Sequence, residues 1–150
     1  MLKVKIYKAR PEATLPQKGS PYSAGYDVTA CLGDVPSVDI PPHSSVLITT
    51  GLIVEPPLGY WAGVFARSGL ALKQGLRPGN CVGVVDNDYR GEYKVIMHND
   101  SDEVRTIKNG ERIAQIIFIP QVDCDFEEVD SADALVVTDR GEGGFGSTGA

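Results

Sequence analysis

The chain has few basic residues for its length, and this shortage argues against one class of ligand. Of its 150 residues, 14 are Lys or Arg and 20 are Asp or Glu, which gives a net charge of −6. Because proteins bind nucleic-acid polymers through basic surfaces that neutralise phosphates, the sequence predicts no DNA or RNA ligand. A free nucleotide remains compatible with this charge, since it requires only a few local cations and a metal ion.

Cysteine and histidine are also scarce. The three cysteines, Cys31, Cys81 and Cys124, are far apart in the sequence, and so are the two histidines, His43 and His98. No pair of them has the spacing of a zinc site or a redox motif. We therefore expect a reducing, cytoplasmic location, either for a cellular protein or for a virus-encoded protein that acts inside the cell.

Long apolar runs and helical periodicity are missing as well. No segment is apolar enough to span a membrane, and the alternating N-terminus predicts a strand instead of a signal peptide. Short alternating segments are separated by turn residues, which predicts a single all-β domain over residues 1–150, folded as a jelly roll. The predicted strands lie at residues 4–6, 23–30, 46–54, 61–66, 81–85, 93–97 and 111–119.

Two segments depart from the strand pattern. Ser68 precedes a run of good helix formers, which predicts one short helix with Ser68 as its N-cap. Residues 139–150 are rich in glycine and predict a mobile arm attached to a core at 1–138. The spacing of the glycines in the arm resembles that of nucleotide-binding loops, but no helix follows whose N-terminus could face a phosphate. An arm with Arg140 at its root and Phe145 as a stacking ring instead suggests a lid over a ligand.

The stretch 80–90 contains the most informative arrangement of residues. A short apolar strand ends at Asp86, and Tyr89 and Arg90 follow within a few positions. This pattern predicts one arm of a β-hairpin. Asp86 could be a simple turn residue that hydrogen-bonds its own backbone. Alternatively, the hairpin could present a base to activate water, a ring to pack on a sugar and a cation for phosphate.

Polar residues at three other places allow both a structural and a functional interpretation. Gln115 lies in an apolar strand, where its amide needs a partner from the backbone or from a ligand. Arg67, Ser68 and Gly69 could form a charged turn or offer a guanidinium, a hydroxyl and amides to a phosphate chain. Asp27 could be a solvated strand residue, or could orient Arg67 or a metal-bound water.

Five motifs follow one another along nearly the whole chain. They are Ala-Gly-Tyr-Asp at 24–27, Arg-Ser-Gly-Leu-Ala at 67–71, Gly-Val-Val-Asp-Asn-Asp-Tyr-Arg-Gly at 83–91, Arg-Ile-Ala-Gln at 112–115, and Arg140 with Gly-Gly-Phe-Gly-Ser-Thr-Gly at 143–149. Each is weak alone, but in this order and spacing they resemble the trimeric dUTP diphosphatases. Val85 and Val28 stand where that family more often has a larger aliphatic residue, and neither departure touches a reacting atom.

The resemblance implies a jelly-roll homotrimer with active sites shared between subunits. It implies that dUTP and water give dUMP and pyrophosphate, with Mg²⁺ on the triphosphate, which keeps uracil out of DNA and supplies dUMP for thymidylate synthesis. The implied catalytic base is Asp86, and Asp27 would act on Mg²⁺ through water. The implied substrate-binding residues are Arg67, Ser68, Gly69, Asn80, Gly83, Val85, Tyr89, Gln115, Arg140, Phe145, Gly146 and Ser147.

Two other functions fit parts of the same pattern. A dCTP deaminase would share the fold and the phosphate motifs, but it should carry a Glu near the base. Asp86 after two valines and Gly69 after Ser68 favour the diphosphatase. A regulator that senses dUTP would also bind the nucleotide, and an intact Asp86 argues for turnover without excluding that second role.

Overall fold

The computed structural model describes residues 2–144 and consists mainly of short β-strands. The strands are β1 (Lys5–Lys8), β2 (Tyr26–Thr29), β3 (Ser37–Ile40), β4 (Ser45–Thr49), β5 (Leu52–Glu55), β6 (Tyr60–Phe65), β7 (Leu76–Pro78), β8 (Val82–Val85), β9 (Lys94–Asn99), β10 (Arg105–Lys108) and β11 (Arg112–Pro120). Within these described residues, one α-helix, α1 (Ser68–Gln74), lies between β6 and β7, and one 3₁₀ turn occupies Ala132–Ala134.

Antiparallel pairing joins these strands into four sheets. The largest has the order β2-β11-β6-β8, and a second has the order β4-β9-β7. Two smaller sheets pair β1 with β5 and β10 with β3. Most neighbours in these sheets are distant in sequence, as in Greek-key connections. The jelly roll predicted from the strand-rich sequence is confirmed.

The core forms because apolar residues on the strands point inward at alternate positions. Val95 and Met97 of β9 are buried, whereas Lys94 and Ile96, which alternate with them, are exposed. The two buried polar residues in the described part of the chain are both hydrogen-bonded. Thr50 donates its hydroxyl to the Tyr93 carbonyl at 2.6 Å, and Asn99 donates its amide to Ile40 and Glu103 carbonyls at 2.9 and 2.7 Å.

The predicted strand at 46–54 is wrong, because the chain breaks there into β4 and β5. Gly51 lies between them with a φ of 69°, in the left-handed region that favours glycine. A Cβ at this position would stand 2.7 Å from Ala13 Cβ and 2.9 Å from Cys31 Sγ. The alternation of apolar and polar residues therefore continues across a turn, although this turn moves the chain from the sheet that contains β4 to the sheet that contains β5. Strands β3, β7 and β10 were not predicted.

Ser68 is not the N-cap of the helix, so that prediction is also wrong. The cap position is Arg67, which has extended backbone angles and makes no side-chain capping hydrogen bond. The Arg67 guanidinium instead binds the Asp27 carboxylate. The helix ends at Gly75, whose φ is 66° and whose amide donates to the Ala71 carbonyl at 3.1 Å.

After β11 the described chain is exposed and joins no sheet. Residues 121–142 are exposed, including the large apolar side chains of Val122, Phe126 and Val136. None of the helices between residues 2 and 144 is long and apolar enough to cross a membrane. Three residues expected to bind substrate, Phe145, Gly146 and Ser147, lie outside the described residues.

Candidate active site

The two arms of the predicted hairpin do not pair with each other. β8 pairs with β6, and β9 pairs with β4 and, at its far end, with β7. Within residues 2–144, the second edge of β8 has no strand partner. The hairpin prediction is therefore wrong in its pairing, because the arms belong to different sheets. Their facing backbone edges retain N–H and C=O groups that a ligand between them could meet.

A cleft of about 410 Å³ lies between β8 and β9. Its β8 side runs from Asn80 to Asp86, and its β9 side runs in the opposite direction, from Glu92 to Ile96. The Gly79 amide donates to the Ile96 carbonyl at 2.7 Å, which closes the cleft at the Asn80 end. The structure thus brings five of the expected site residues together around one opening: Asn80, Gly83, Val85, Asp86 and Tyr89.

Asp86 stands at the open end of this cleft, directly after β8. Its neighbour Val85 is paired with Ala62 of β6, and the Asp86 carbonyl accepts a hydrogen bond from the Tyr89 amide at 3.2 Å. The exposed carboxylate has no hydrogen-bond partner among the described residues. It also borders a wider cleft of about 730 Å³, together with Trp61 and Asp88. A free carboxylate on a fixed backbone can accept a proton from water.

Two tyrosine rings lie close to each other at the same end of the cleft. The rings of Tyr89 and Tyr93 lie 6.3 Å apart and are tilted by 39°. Tyr89 is half exposed, and its hydroxyl donates to the Glu92 carbonyl at 3.3 Å. Tyr93 is buried beneath, and its hydroxyl has no partner among the described residues. Burial raises the pKa of Tyr93 to about 12, so this phenol stays protonated at neutral pH.

Arg90 does not act as a free cation beside the cleft in this structure. Its guanidinium donates to the carbonyls of Asn87 and Tyr89 at 2.5 and 3.0 Å, and it lies 3.7 Å from a Glu55 carboxylate oxygen. These contacts hold the turn after Asp86. The expectation that Arg90 serves a phosphate therefore finds no support in its surroundings.

A second polar cluster forms where β2, β6 and β11 meet. Asp27 accepts from Arg67 Nε and from Arg112 Nη1, both at 2.9 Å, and Arg67 Nη1 donates to the Arg112 carbonyl at 3.1 Å. The side-chain amide of Gln115 donates to the Ala66 carbonyl at 2.9 Å, so its partner in this structure comes from the backbone. Arg112 was not among the expected site residues, although it belongs to the Arg-Ile-Ala-Gln motif.

The remaining predicted residues lie around this second cluster or away from it. Ser68 and Gly69 are exposed at the start of α1, next to Arg67. Arg140 is exposed near the end of the described chain, where its Nε donates to the Gly143 carbonyl at 2.7 Å. Within residues 2–144, no three His, Cys, Asp or Glu side chains meet in a way that could hold a metal ion.

The two groups of residues lie at opposite ends of β6. Val85, just before Asp86, pairs with Ala62, whereas Arg67 lies five residues further along the chain, beyond Phe65. At a rise of roughly 3.4 Å per residue, this separates them by about 17 Å along the sheet. Because Phe65 pairs with Val82, Arg67 is at the Asn80 end of the cleft and not at the Asp86 end.

Comparison with known proteins gives a consistent family assignment. A sequence model described as dUTPase matches residues 11–149. A deoxyuridine 5′-triphosphate nucleotidohydrolase from Hydrogenobaculum sp. is 45% identical over 148 residues, which cover 99% of each chain. The protein of that name from Candida albicans is 43% identical over 146 residues, which cover 97% of this chain and 87% of the relative.

A solved structure supports the fold. A mutant dUTPase of Staphylococcus bacteriophage 80alpha, with dUpNHpp, superposes with a TM-score of 0.85 and is 24% identical, with 99% of each chain covered. At this level of identity, the likeness concerns the fold alone.

Proposed function

The chain belongs to the dUTPase family and is a dUTP diphosphatase, and we propose that it hydrolyses dUTP to dUMP and pyrophosphate around the cleft between β8 and β9. The observation that carries this placement is the cleft between β9 and the free edge of β8, which has no strand partner within residues 2–144, with Asp86 at its open end. In a cell, this reaction would keep uracil out of DNA and provide dUMP for thymidylate synthesis.

We propose that the uracil ring enters the cleft at the Asn80 end. Main-chain groups from Asn80 to Val85 would pair with the edge of the base. Cytosine would place its amino donor against a backbone donor, and each buried group left unpaired costs roughly 1–3 kcal/mol. The closed end at Gly79 and Ile96 would leave no room for the methyl group of thymine.

The deoxyribose would then lie at the Tyr89 end of the cleft. The half-exposed ring of Tyr89 can pack on an apolar sugar face, and its hydroxyl is already engaged by the Glu92 carbonyl. A ribose 2′-hydroxyl pressed against this ring would lose its solvation without gaining a partner. Tyr89 would therefore select deoxynucleotides.

Asp86 would act as the general base. The order of base, sugar and phosphate along the cleft brings the α-phosphate to the Asp86 end, where the carboxylate can take a proton from the attacking water. The water oxygen forms a bond to the α-phosphorus, the bond to the bridging oxygen breaks, and pyrophosphate leaves. Positioning and charge stabilisation provide most of the catalysis in phosphoryl transfer, so the placement of Asp86 matters more than its basicity.

The phosphate-binding groups would come from a second subunit. A nucleotide that points from Asn80 towards Asp86 directs its phosphates away from the Arg67 of its own chain, which lies at the other end of β6. We therefore propose a homotrimer in which Asp27, Arg67, Ser68, Gly69 and Gln115 of one chain face the cleft of another. The exposed apolar residues after β11 support burial against a further copy.

The arm from residue 139 onwards would close the site. Arg140 lies exposed at its root, and we propose that Phe145, Gly146 and Ser147 cover the bound nucleotide. Residues 1–138 would form the jelly-roll core and 139–150 the arm. The short hydrogen bond from Arg140 to Gly143 would have to open when the guanidinium meets phosphate.

Mg²⁺ would enter with the triphosphate. The described residues offer no cluster of metal ligands, and Mg²⁺ binds phosphates readily while keeping several waters. When bound, it would neutralise charge on the phosphate oxygens. Both carboxylate oxygens of Asp27 already accept from arginines, which supports an orienting role for Asp27 over the water-mediated metal role.

A substrate panel tests the proposed function. The protein is assayed with dUTP, dTTP, dCTP and UTP, and both pyrophosphate and ammonia are measured. Pyrophosphate from dUTP alone is the expected result. Ammonia from dCTP would identify a deaminase, and tight binding of dUTP without pyrophosphate release would identify a nucleotide-sensing protein.

A further inference from the structure

The side chain of the residue after Asp86 contacts three backbone carbonyls. Asn87 donates its amide to the carbonyls of Pro57 and Tyr60, both at 2.8 Å, and lies 3.3 Å from the carbonyl of Pro56. The side chain is partly buried. An NH₂ group has two hydrogens, so two good bonds and one shared, weaker contact satisfy it completely.

These hydrogen bonds join two segments that both line the wider cleft. One segment is the turn that starts at Asp86, and the other is the loop at 56–60 that leads into β6. Leu58 and Gly59 of that loop line the cleft together with Asp86 and Asn87. Asn87 therefore ties the turn after Asp86 to the loop at 56–60.

Asp86 has no side-chain restraint of its own among residues 2–144, so its backbone must determine where the carboxylate lies. On one side, Val85 is held by its pairing with Ala62. On the other side, the turn is held by the Asn87 side chain and by the Arg90 bond to the Asn87 carbonyl. Of these restraints, only the Asn87 amide ties the residue next to Asp86 to the loop that enters β6.

We propose that Asn87 is a positioning residue, which holds the Asp86 carboxylate at the reacting water through its hydrogen bonds to the loop at 56–60. This inference rests on the proposed role of Asp86 as the base. It follows because a misplacement of about 1 Å can lower a rate roughly 100-fold. Asn87 needs no contact with substrate to have this effect.

Asparagine suits this task for a simple chemical reason. All three of its partners are carbonyl oxygens, so the side chain must donate. Aspartate has the same shape but would oppose carbonyls with a negative charge, and alanine would leave them without a donor. Glutamine keeps the two donors on a side chain that is longer by one methylene group.

The test compares Asn87→Ala and Asn87→Gln with a matched asparagine at a distant turn. Asn109 also ties a loop to a neighbouring segment, through the Gly33 carbonyl at 3.2 Å and the Leu32 amide at 2.9 Å, but it lines neither cleft. For each variant, kcat for dUTP, Kd for dUpNHpp and Tm are measured. The analogue reports whether the folded cleft is present.

We expect Asn87→Ala to lower kcat at least tenfold with Kd for dUpNHpp within threefold of wild type, and Asn87→Gln to recover part of kcat. Asn109→Ala should lower Tm with kcat unchanged. If Asn87→Ala does not fold, Asn87→Gln alone should still lower kcat with Kd retained.

A kcat within twofold of wild type in the folded Asn87 variants would overturn the proposal, and so would a parallel loss of kcat and analogue binding. A wild-type protein without dUTP hydrolysis would instead refute the proposed function.

Discussion

Asp27 and Arg67 form an ion pair at 2.9 Å in which both side chains are mostly shielded, with exposed fractions of 18% and 25%. The same carboxylate also binds Arg112, whose side chain is more exposed at 56%. One carboxylate thus aligns two guanidinium groups at the edge of the sheet. Arginines held in this way can meet phosphate oxygens with little further loss of side-chain entropy.

Replacement of Asp27 by Asn should weaken recognition of the triphosphate. The variant keeps the volume of the side chain but loses the charge that orients Arg67 and Arg112. We expect KM for dUTP to rise about tenfold, a cost of about 1.4 kcal/mol, while the Mg²⁺ concentration that gives half-maximal rate stays unchanged. A changed Mg²⁺ requirement at unaltered KM would instead assign Asp27 to the metal-bound water.

Asp86→Asn should retain nucleotide binding and lose nearly all hydrolysis. The change removes the base but keeps the shape of the side chain and its place after β8. Titration with dUpNHpp should give a Kd close to that of wild type, and steady-state assays should show less than a hundredth of its turnover. If a tenth of the activity survived, the loss would be only about 1.4 kcal/mol, and another group would have to act as the base.

The sequence predicted the fold class and the family well, because strand alternation and five ordered motifs are local features. It could not predict that β8 and β9 separate into different sheets, since strand pairing depends on distant residues. For the same reason, Asn87 resembles any turn residue in the sequence, and its partners at 56–60 are visible only in the fold. Arg112 was overlooked because nothing local to its motif reveals the carboxylate of Asp27, 85 residues away in the chain.

Gly91→Ala should disturb the sugar pocket through Tyr89. An added Cβ at this position would collide with the Tyr89 hydroxyl and with the ring carbon that bears it, and would stand 2.9 Å from Tyr89 Cε2. The ring must then move, although the backbone can remain in place. We expect KM for dUTP to rise several-fold and discrimination against UTP to weaken. Gly110→Ala offers a poor control because of its positive φ, whereas Gly19→Ala is suitable because its Cβ would meet only Ser23 Oγ, at 3.7 Å.

Selectivity is the decisive measurement for Gly91. The ratio of kcat/KM for dUTP to that for UTP should fall in Gly91→Ala and hold steady in Tyr22→Phe, a change at a fully solvent-facing ring. An unchanged ratio would mean that the Tyr89 ring does not exclude the 2′-hydroxyl.

Tyr93→Phe should make the protein less sensitive to alkali. Burial raises the pKa of Tyr93 to about 12 from its ordinary value of 10. Above pH 10, the unfolded chain therefore loses a proton that the folded chain retains, and stability falls as the pH rises. The variant lacks this loss, so the free energy of unfolding of the variant minus that of wild type should grow by up to about 1.4 kcal/mol per pH unit between pH 10 and 12. Urea unfolding at pH 8, 10 and 11 measures it, and a constant difference across this range would contradict the prediction.

The last prediction concerns the sharing of the site between subunits. Asp86→Asn chains and chains truncated after Arg140 should each be inactive, the first without a base and the second without the end of the arm. The two variants are unfolded together at equal amounts and allowed to reassemble.

If each site combines the cleft of one chain with the arm of another, a site works only when its cleft comes from a truncated chain and its arm from an Asp86→Asn chain. Random mixing then restores about a quarter of wild-type activity, because each requirement is met half of the time. If the cleft and the arm come from the same chain, every site lacks one of them. Mixed trimers confirmed by native mass spectrometry but without activity would therefore refute the shared site.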